Sequence, residues 1–334
     1  MQKKRNIGLD IIKGFAALLV CMLHLLRVDF GEVVSGEVYI PNLTKIIYGV
    51  CACSVPIFFF VNGYLVGCRQ NEPKSVFIKI LNLLKLRIIV GGLIGCLICL
   101  ILDQPHSITE YRSVTFYLWF FEALIIIYIW LLVWDRIKNY KWSVIFPIVL
   151  LIVPFLTNLL GLISALFGHV LPDFFGHSGL FRLYGLLYFM LPFYMDRRVL
   201  PRRWAIVAVF AGLAVVALEV FVWSNVSGSV YDGMNACFPT VGALLMTLGF
   251  FSLFTTLDYN EQNVLVRYFA WLGRNCMGIY LFHMPFVIMF TTFLCKSDVP
   301  AMFAIAVSLA IISICSLIYS WFMKIKYLNY LLKI

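Results

Sequence analysis

The sequence predicts an all-α fold, a polytopic membrane bundle of about ten transmembrane helices forming one domain over residues 1–334. Three observations predict it. Hydrophobic residues make up 63% of the chain and charged residues only 13%, about half the charged share of an ordinary soluble domain. Successive apolar stretches, most of them long enough to cross a bilayer, follow one another with short polar connections. The Lys and Arg residues alternate in density from one connection to the next, as the positive-inside rule requires.

Taken in order, the spans are read at 8–28, 43–66, 83–102, 115–134, 142–160, 181–195, 204–224, 235–256, 268–294 and 299–322. With the amino terminus inside, nineteen of the 26 Lys and Arg fall on inner segments and span ends and five on outer ones; Lys13 and Arg274 lie within spans. That bias places both termini in the cytoplasm and the protein in the cell membrane as a multi-pass chain. The fifth span holds Pro147 and Pro154 and is expected to kink. The sixth is short and holds Pro192, so it is expected to be tilted or broken. The segment Cys68–Leu86 reads as a basic inner loop. Met1 to Arg5 carry three positive charges and read as a cytoplasmic start, with no cleavable signal peptide.

The net charge of +10 does not indicate nucleic acid, because the basic residues are spread through short loops and form no patch. Most of the ten Cys lie inside apolar runs and read as small packing residues. Cys96 and Cys99 are spaced Cys-x-x-Cys but have no second pair or His pair, so no metal site is expected.

The first span carries the strongest chemical signal. Lys13 and His24 stand eleven positions apart in an apolar run, and ionisable groups there are costly enough to read as functional. Eleven steps of about 100° return to nearly the same face, and the rise separates the two by roughly 16 Å. Asp10 and Arg27 extend that stripe, and Asp10 is placed to pair with Lys13 three positions on. A lone His in such a helix equally fits a helix–helix hydrogen bond, and a Lys near its end equally fits snorkelling to the interface.

Other residues follow the same logic. Asn62 and Gly63 end an aromatic run in the second span, where Gly allows close helix approach and Asn can bond across an interface. Glu122 in the fourth span must be paired, protonated or facing water. Tyr280 and His283 are three apart in the ninth span and face the same way. Glu219 reads as an interface residue, and His106, His169 and His177 as solvated loop residues, with His177 and Arg182 able to touch an outer substrate.

Leu9-Asp10-Ile11-Ile12-Lys13-Gly14 followed by His24 resembles the amino-terminal motif of the acyltransferase-3 family of integral membrane O-acyltransferases, with Lys13 where that family has Arg. Pro56, Phe58-Phe59-Phe60 and Asn62-Gly63-Tyr64, then Leu118-Trp119-Phe120, then Leu272-Gly273 and Tyr280-Leu281-Phe282-His283, resemble its later segments. Asn62 stands where Ser is usual. The resemblance implies an acyltransferase that moves acetyl or another acyl group from acyl-CoA, on the cytoplasmic side, to a hydroxyl of a cell-surface glycan or its precursor. The group transferred is not an amino-acyl group. Acetyl-CoA would be a co-substrate, with no permanently bound cofactor. The partners would be acyl-CoA, a glycan or lipid-linked sugar, and membrane lipid, with no nucleic acid. On this reading His24, His283 and Glu122 are catalytic. Lys13, Lys85 and Arg87 hold the CoA phosphates, Asn62 and Tyr280 serve the substrate or the oxyanion, and Asp10 pairs structurally with Lys13. A transporter or flippase of a lipid-linked sugar is the alternative from the residues alone, since ten spans and buried polar groups fit it too.

Overall fold

The computed structural model describes residues 6–26, 43–66, 72–103, 115–137, 155–156, 159–160, 162–164, 167, 184–195, 198–226, 240–294 and 300–332. Within them the chain is all-α. Seven helical stretches are long and apolar enough to span a membrane, and Val241–Thr256 is a shorter apolar helix beside them. Most of the fifth expected span, the three loop histidines, Arg27 and Arg182 lie outside the described residues.

Helix α1 (Ile7–Leu25) is the axis of the bundle. Asn6 caps it, its side-chain oxygen accepting from the Gly8 amide at 2.9 Å. Its membrane window is 83% buried, against 39–67% for the other span candidates. Small residues allow this: a Cβ on Gly8 would lie 1.9 Å from the Phe254 carbonyl oxygen, and one on Gly14 2.3 Å from that of Phe269. In a bilayer, where hydrophobic burial does not drive helices together, such backbone approach is the main source of packing energy.

Around α1 stand α2 (Leu43–Cys51) and α3 (Ser54–Val66), and later in the chain the helices Val241–Thr256, Val264–Arg274, Cys276–Met289 and Ala301–Phe322. Helix α4 (Pro73–Lys85) runs through a stretch of wider, π-type winding at Leu86–Val90 into α5 (Gly91–Leu102). The 30-residue rod Pro73–Leu102 corrects the loop expected at Cys68–Leu86. Pro73 starts it at the first helical position. Val76, Ile80 and Leu83, at i, i+4 and i+7, bury one face while Lys74 remains exposed. The interspersed lysines conceal that stripe from a reading by charge.

Helix α6 (Trp119–Ile137) follows a single 3₁₀ turn at Phe116–Leu118. Helix α7 (Tyr184–Tyr194) contains Pro192 and matches the short sixth span. It packs on α3, where a Cβ on Gly63 would lie 1.9 Å from the Phe189 carbonyl oxygen. Helices α8 (Arg202–Val226) and α9 (Val241–Thr256) form a close antiparallel pair. Buried Glu219 sits at that interface, accepting from the Gly242 amide at 3.5 Å. Between α9 and the next helix, Tyr259 donates its hydroxyl to the Phe254 carbonyl at 3.0 Å, and burial pushes its pKa up to about 12.

The expected ninth span, 268–294, is not one helix. It is broken at Asn275 into α10 (Val264–Arg274) and α11 (Cys276–Met289). The Asn275 side chain donates to the Trp271 carbonyl at 3.0 Å and accepts from Ser320 Oγ at 3.2 Å. Asn275 itself leaves helical geometry, at φ −101° and ψ 11°, while its amide still reaches the Trp271 and Leu272 carbonyls at 3.2 and 3.0 Å. Only the portion from Cys276 onward is apolar enough to cross. Helix α12 (Ala301–Phe322) closes the bundle against α1 and α11, and α13 (Lys326–Leu332) ends it.

Candidate active site

The histidine predicted on the first span and the one predicted on the ninth meet. The His24 and His283 ring centroids lie 5.3 Å apart, with the planes tilted by 41°. Both are buried, His24 at 8% and His283 at 1% exposure. Helices α1 and α11 touch along their length, which holds the two rings at one level of the bundle.

The His283 ring is fixed by its own helix. Its Nδ1 lies 3.0 Å from the Ile279 carbonyl oxygen and 2.9 Å from that of Tyr280. Carbonyl oxygens only accept, so Nδ1 carries the proton and Nε2 keeps its lone pair. Nε2 is buried, with no hydrogen-bond partner among the described residues. A basic nitrogen aimed into the interior with nothing to bond is costly in a structural role and ready for a substrate proton.

Aromatic rings wall the pair. Tyr117 stands edge-on to His283 at 5.4 Å between centroids. Its hydroxyl donates to the Leu281 carbonyl at 2.9 Å, while the Tyr280 hydroxyl donates to the Tyr117 carbonyl. These reciprocal bonds tie the 3₁₀ turn before α6 to α11. Behind Tyr280 lie Phe120 at 5.4 Å and Phe121 at 5.0 Å, and Phe120 in turn packs on Phe59 at 4.6 Å. The aromatic run of the second span and the Leu-Trp-Phe run of the fourth, distant in sequence, thus form one layer beside the histidines. Tyr117 is the residue the sequence reading passed over. Its only signal was its place immediately before Leu118-Trp119.

Asp10 and Lys13 pair as expected, at 2.9 Å, with side chains 4% and 17% exposed. Helix α10 crosses α1 at this level: Gly14 meets Phe269 and Gly273, and Gly273 meets the Asp10 backbone. By the helical rise Lys13 and His24 are roughly 16 Å apart on the same rod.

Arg87 and Glu122, read separately from sequence, are partners. Arg87 Nε lies 3.1 Å from Glu122 Oε1. The wider winding at Leu86–Val90 carries Arg87, and such insertions commonly occur at functional sites. Lys85 is held by Asn82 Oδ1 at 3.1 Å and the Tyr330 carbonyl at 2.9 Å, with its ammonium over the Tyr330 ring. Asn62 is half-buried on α3, and the structure gives no contact between it and the histidine pair. In a double-mutant cycle of Arg87→Ala and Glu122→Ala, the expected coupling is about 1 kcal/mol, read from thermal unfolding of the purified protein. Additive single effects would show that the two do not act as a pair.

A family model described as an acyltransferase domain, that of the acyltransferase-3 family, matches residues 6–320. No curated protein and no solved structure matches the chain. The matched span runs from the cap of α1 to the last turns of α12 and takes in every residue of the site. The chain therefore belongs to the acyltransferase-3 family, and it is a multi-pass membrane acyltransferase.

Proposed function

We propose that this protein moves an acyl group, acetyl first among the candidates, from acyl-CoA to a hydroxyl of a cell-surface glycan or its lipid-linked precursor. The observation that carries the reading is the buried His24–His283 pair, in which His283 presents an unprotonated Nε2. A neutral imidazole is the side chain best suited to take a hydroxyl proton near neutral pH. In the proposed step the acceptor oxygen attacks the thioester carbonyl as its proton passes to Nε2. The tetrahedral intermediate then collapses, the C–S bond breaks, and the imidazolium returns its proton to the departing thiolate.

His24 stands beside His283 and positions the acceptor or shares the proton. Lys13 contributes positive charge at the donor end of α1. Arg87 and Glu122 act as a pair that shapes the ground around Tyr280. The Tyr280 hydroxyl is already committed to the Tyr117 carbonyl, so Asn62 is the first oxyanion donor to test. The charge distribution of the sequence supports a donor site on the cytoplasmic side.

The test is direct. Membranes carrying the protein receive acetyl-labelled acetyl-CoA, and base-labile label is measured on glycan. Label should accumulate with the native protein and fall, without disappearing, with His24→Ala at equal expression. Undiminished labelling by that variant would remove His24 from the mechanism. A flippase would leave no acetyl label on glycan in either case.

A further inference from the structure

Before the break at Asn275, α10 packs closely against the first turns of α1. A groove of about 660 Å³ opens there. Its lining includes Ile7, Glu261, Arg267, Tyr268, Trp271 and Arg274. This volume falls within the range of small-molecule sites, about 300–1,000 Å³. Arg267, Trp271 and Arg274 occupy i, i+4 and i+7, which puts two guanidinium groups and an indole on one helical face. The groove carries two cations against the one carboxylate of Glu261.

Its aromatic side is built in advance. The Tyr268 and Trp271 rings lie 6.1 Å apart at 36°. Tyr268 is anchored through its hydroxyl to Ser313 Oγ on α12 at 2.7 Å. Planar aromatic faces bind purine bases by stacking, and arginine forks match phosphate oxygens. The combination selects a purine nucleotide bearing several phosphates over a bare anion, which would need no aromatic plates.

The position selects further. Through the Gly14–Gly273 contact α10 lies directly against the Asp10–Lys13 pair, and from Lys13 the same rod leads roughly 16 Å to His24. A ligand whose nucleotide sits in the groove must span that distance with an extended arm to present a thioester to the histidines. A second groove, lined by Lys74, Lys79 and Lys85 on α4, is less suited. Lys85 and Tyr330 are engaged with each other there.

We infer that the α10 groove, through Arg267, Arg274 and the Tyr268–Trp271 plates, binds the phosphoadenosine diphosphate end of the acyl-CoA donor. This rests on the acyl-CoA reading above and adds the nucleotide subsite to it. Lys13 then meets the part of the donor nearest the bundle interior. Glu261 opposes the phosphates.

Two measurements on the full-length protein in detergent micelles test the inference. In the first, adenosine 3′,5′-bisphosphate, the nucleotide without its arm, is titrated while tryptophan fluorescence is followed. Saturable quenching is expected, weakened at least tenfold in Arg267→Ala/Arg274→Ala and strengthened in Glu261→Gln. No saturable binding, or equal binding by the double variant, overturns the subsite whatever the enzyme's activity. In the second, transfer is assayed with acetyl-CoA and with acetyl-pantetheine, which carries no nucleotide. The double variant should raise the KM for acetyl-CoA at least tenfold with a smaller change in kcat. The native-to-variant ratio should return to one with acetyl-pantetheine. Native transfer from acetyl-CoA with an unshifted KM in the variant overturns the subsite but leaves the acyltransferase reading intact. A groove that holds lipid headgroups instead would show phosphatidylglycerol in the micelle abolishing nucleotide quenching in native protein, with an unshifted acetyl-CoA KM in the double variant, and would overturn it equally.

Discussion

Replacing His283 with asparagine is expected to lower acyl transfer by roughly 10² to 10⁴-fold, the usual contribution of a positioned general base. The substitution is chosen for what it preserves. An asparagine amide can occupy the place of Nδ1 and keep donating toward the Ile279 and Tyr280 carbonyls, which lie 3.0 and 2.9 Å from that nitrogen. What disappears is the basic Nε2. The loss should fall on kcat, with the KM for acetyl-CoA little changed and the thermal midpoint within a few degrees of native. His24→Asn should reduce the rate by less, because that ring acts beside the base. If His283→Asn keeps native kcat while His24→Asn abolishes it, the two roles are reversed and the tautomer argument does not identify the base.

The second large effect is on assembly. A Cβ on Gly273 would lie 1.7 Å from the Asp10 carbonyl oxygen and 2.6 Å from its carbonyl carbon. Both are backbone atoms of the central helix, so no side chain can rotate away. Gly273→Ala must therefore push α10 off α1, at a cost on the order of 3 kcal/mol, the upper range for overpacking a well-fitted site. The expected result is a clear drop in thermal midpoint and a loss of activity that accompanies displacement of the Asp10–Lys13 pair. Gly91→Ala is the contrast. Its Cβ would meet the terminal Cδ1 of Leu118 at 2.8 Å, and a flexible side chain can yield. Equal midpoints for the two variants would show that the α1–α10 contact does not hold the bundle together.

What could be read from the sequence followed from local rules. Apolar length gave the spans, and the i, i+3 relation gave the Asp10–Lys13 pair. The stripe Val76, Ile80, Leu83 was present in the letters, but Lys74, Lys79 and Lys85 between them drew the segment toward a loop assignment. The break at Asn275 followed a Gly-Arg-Asn run that a count of apolar residues passes over. The meeting of His24 with His283 is of another kind. No periodicity connects residues 24 and 283, and it was the resemblance to a family that brought both into one site. Arg87 and Glu122 were each singled out for charge, but their pairing depends on how α4, α5 and α6 pack, which sequence spacing does not encode.

The central place of α1 has a consequence for biogenesis. It is the first described helix to leave the ribosome, yet α9, α10, α11 and α12, which cover much of it, are made only after residue 240. Until they arrive, the Asp10–Lys13 pair lacks the helices that cover it in the finished bundle. An insertion intermediate truncated before Val264 should therefore be held by the membrane-insertion machinery or degraded, and its survival should improve when both charges are removed together.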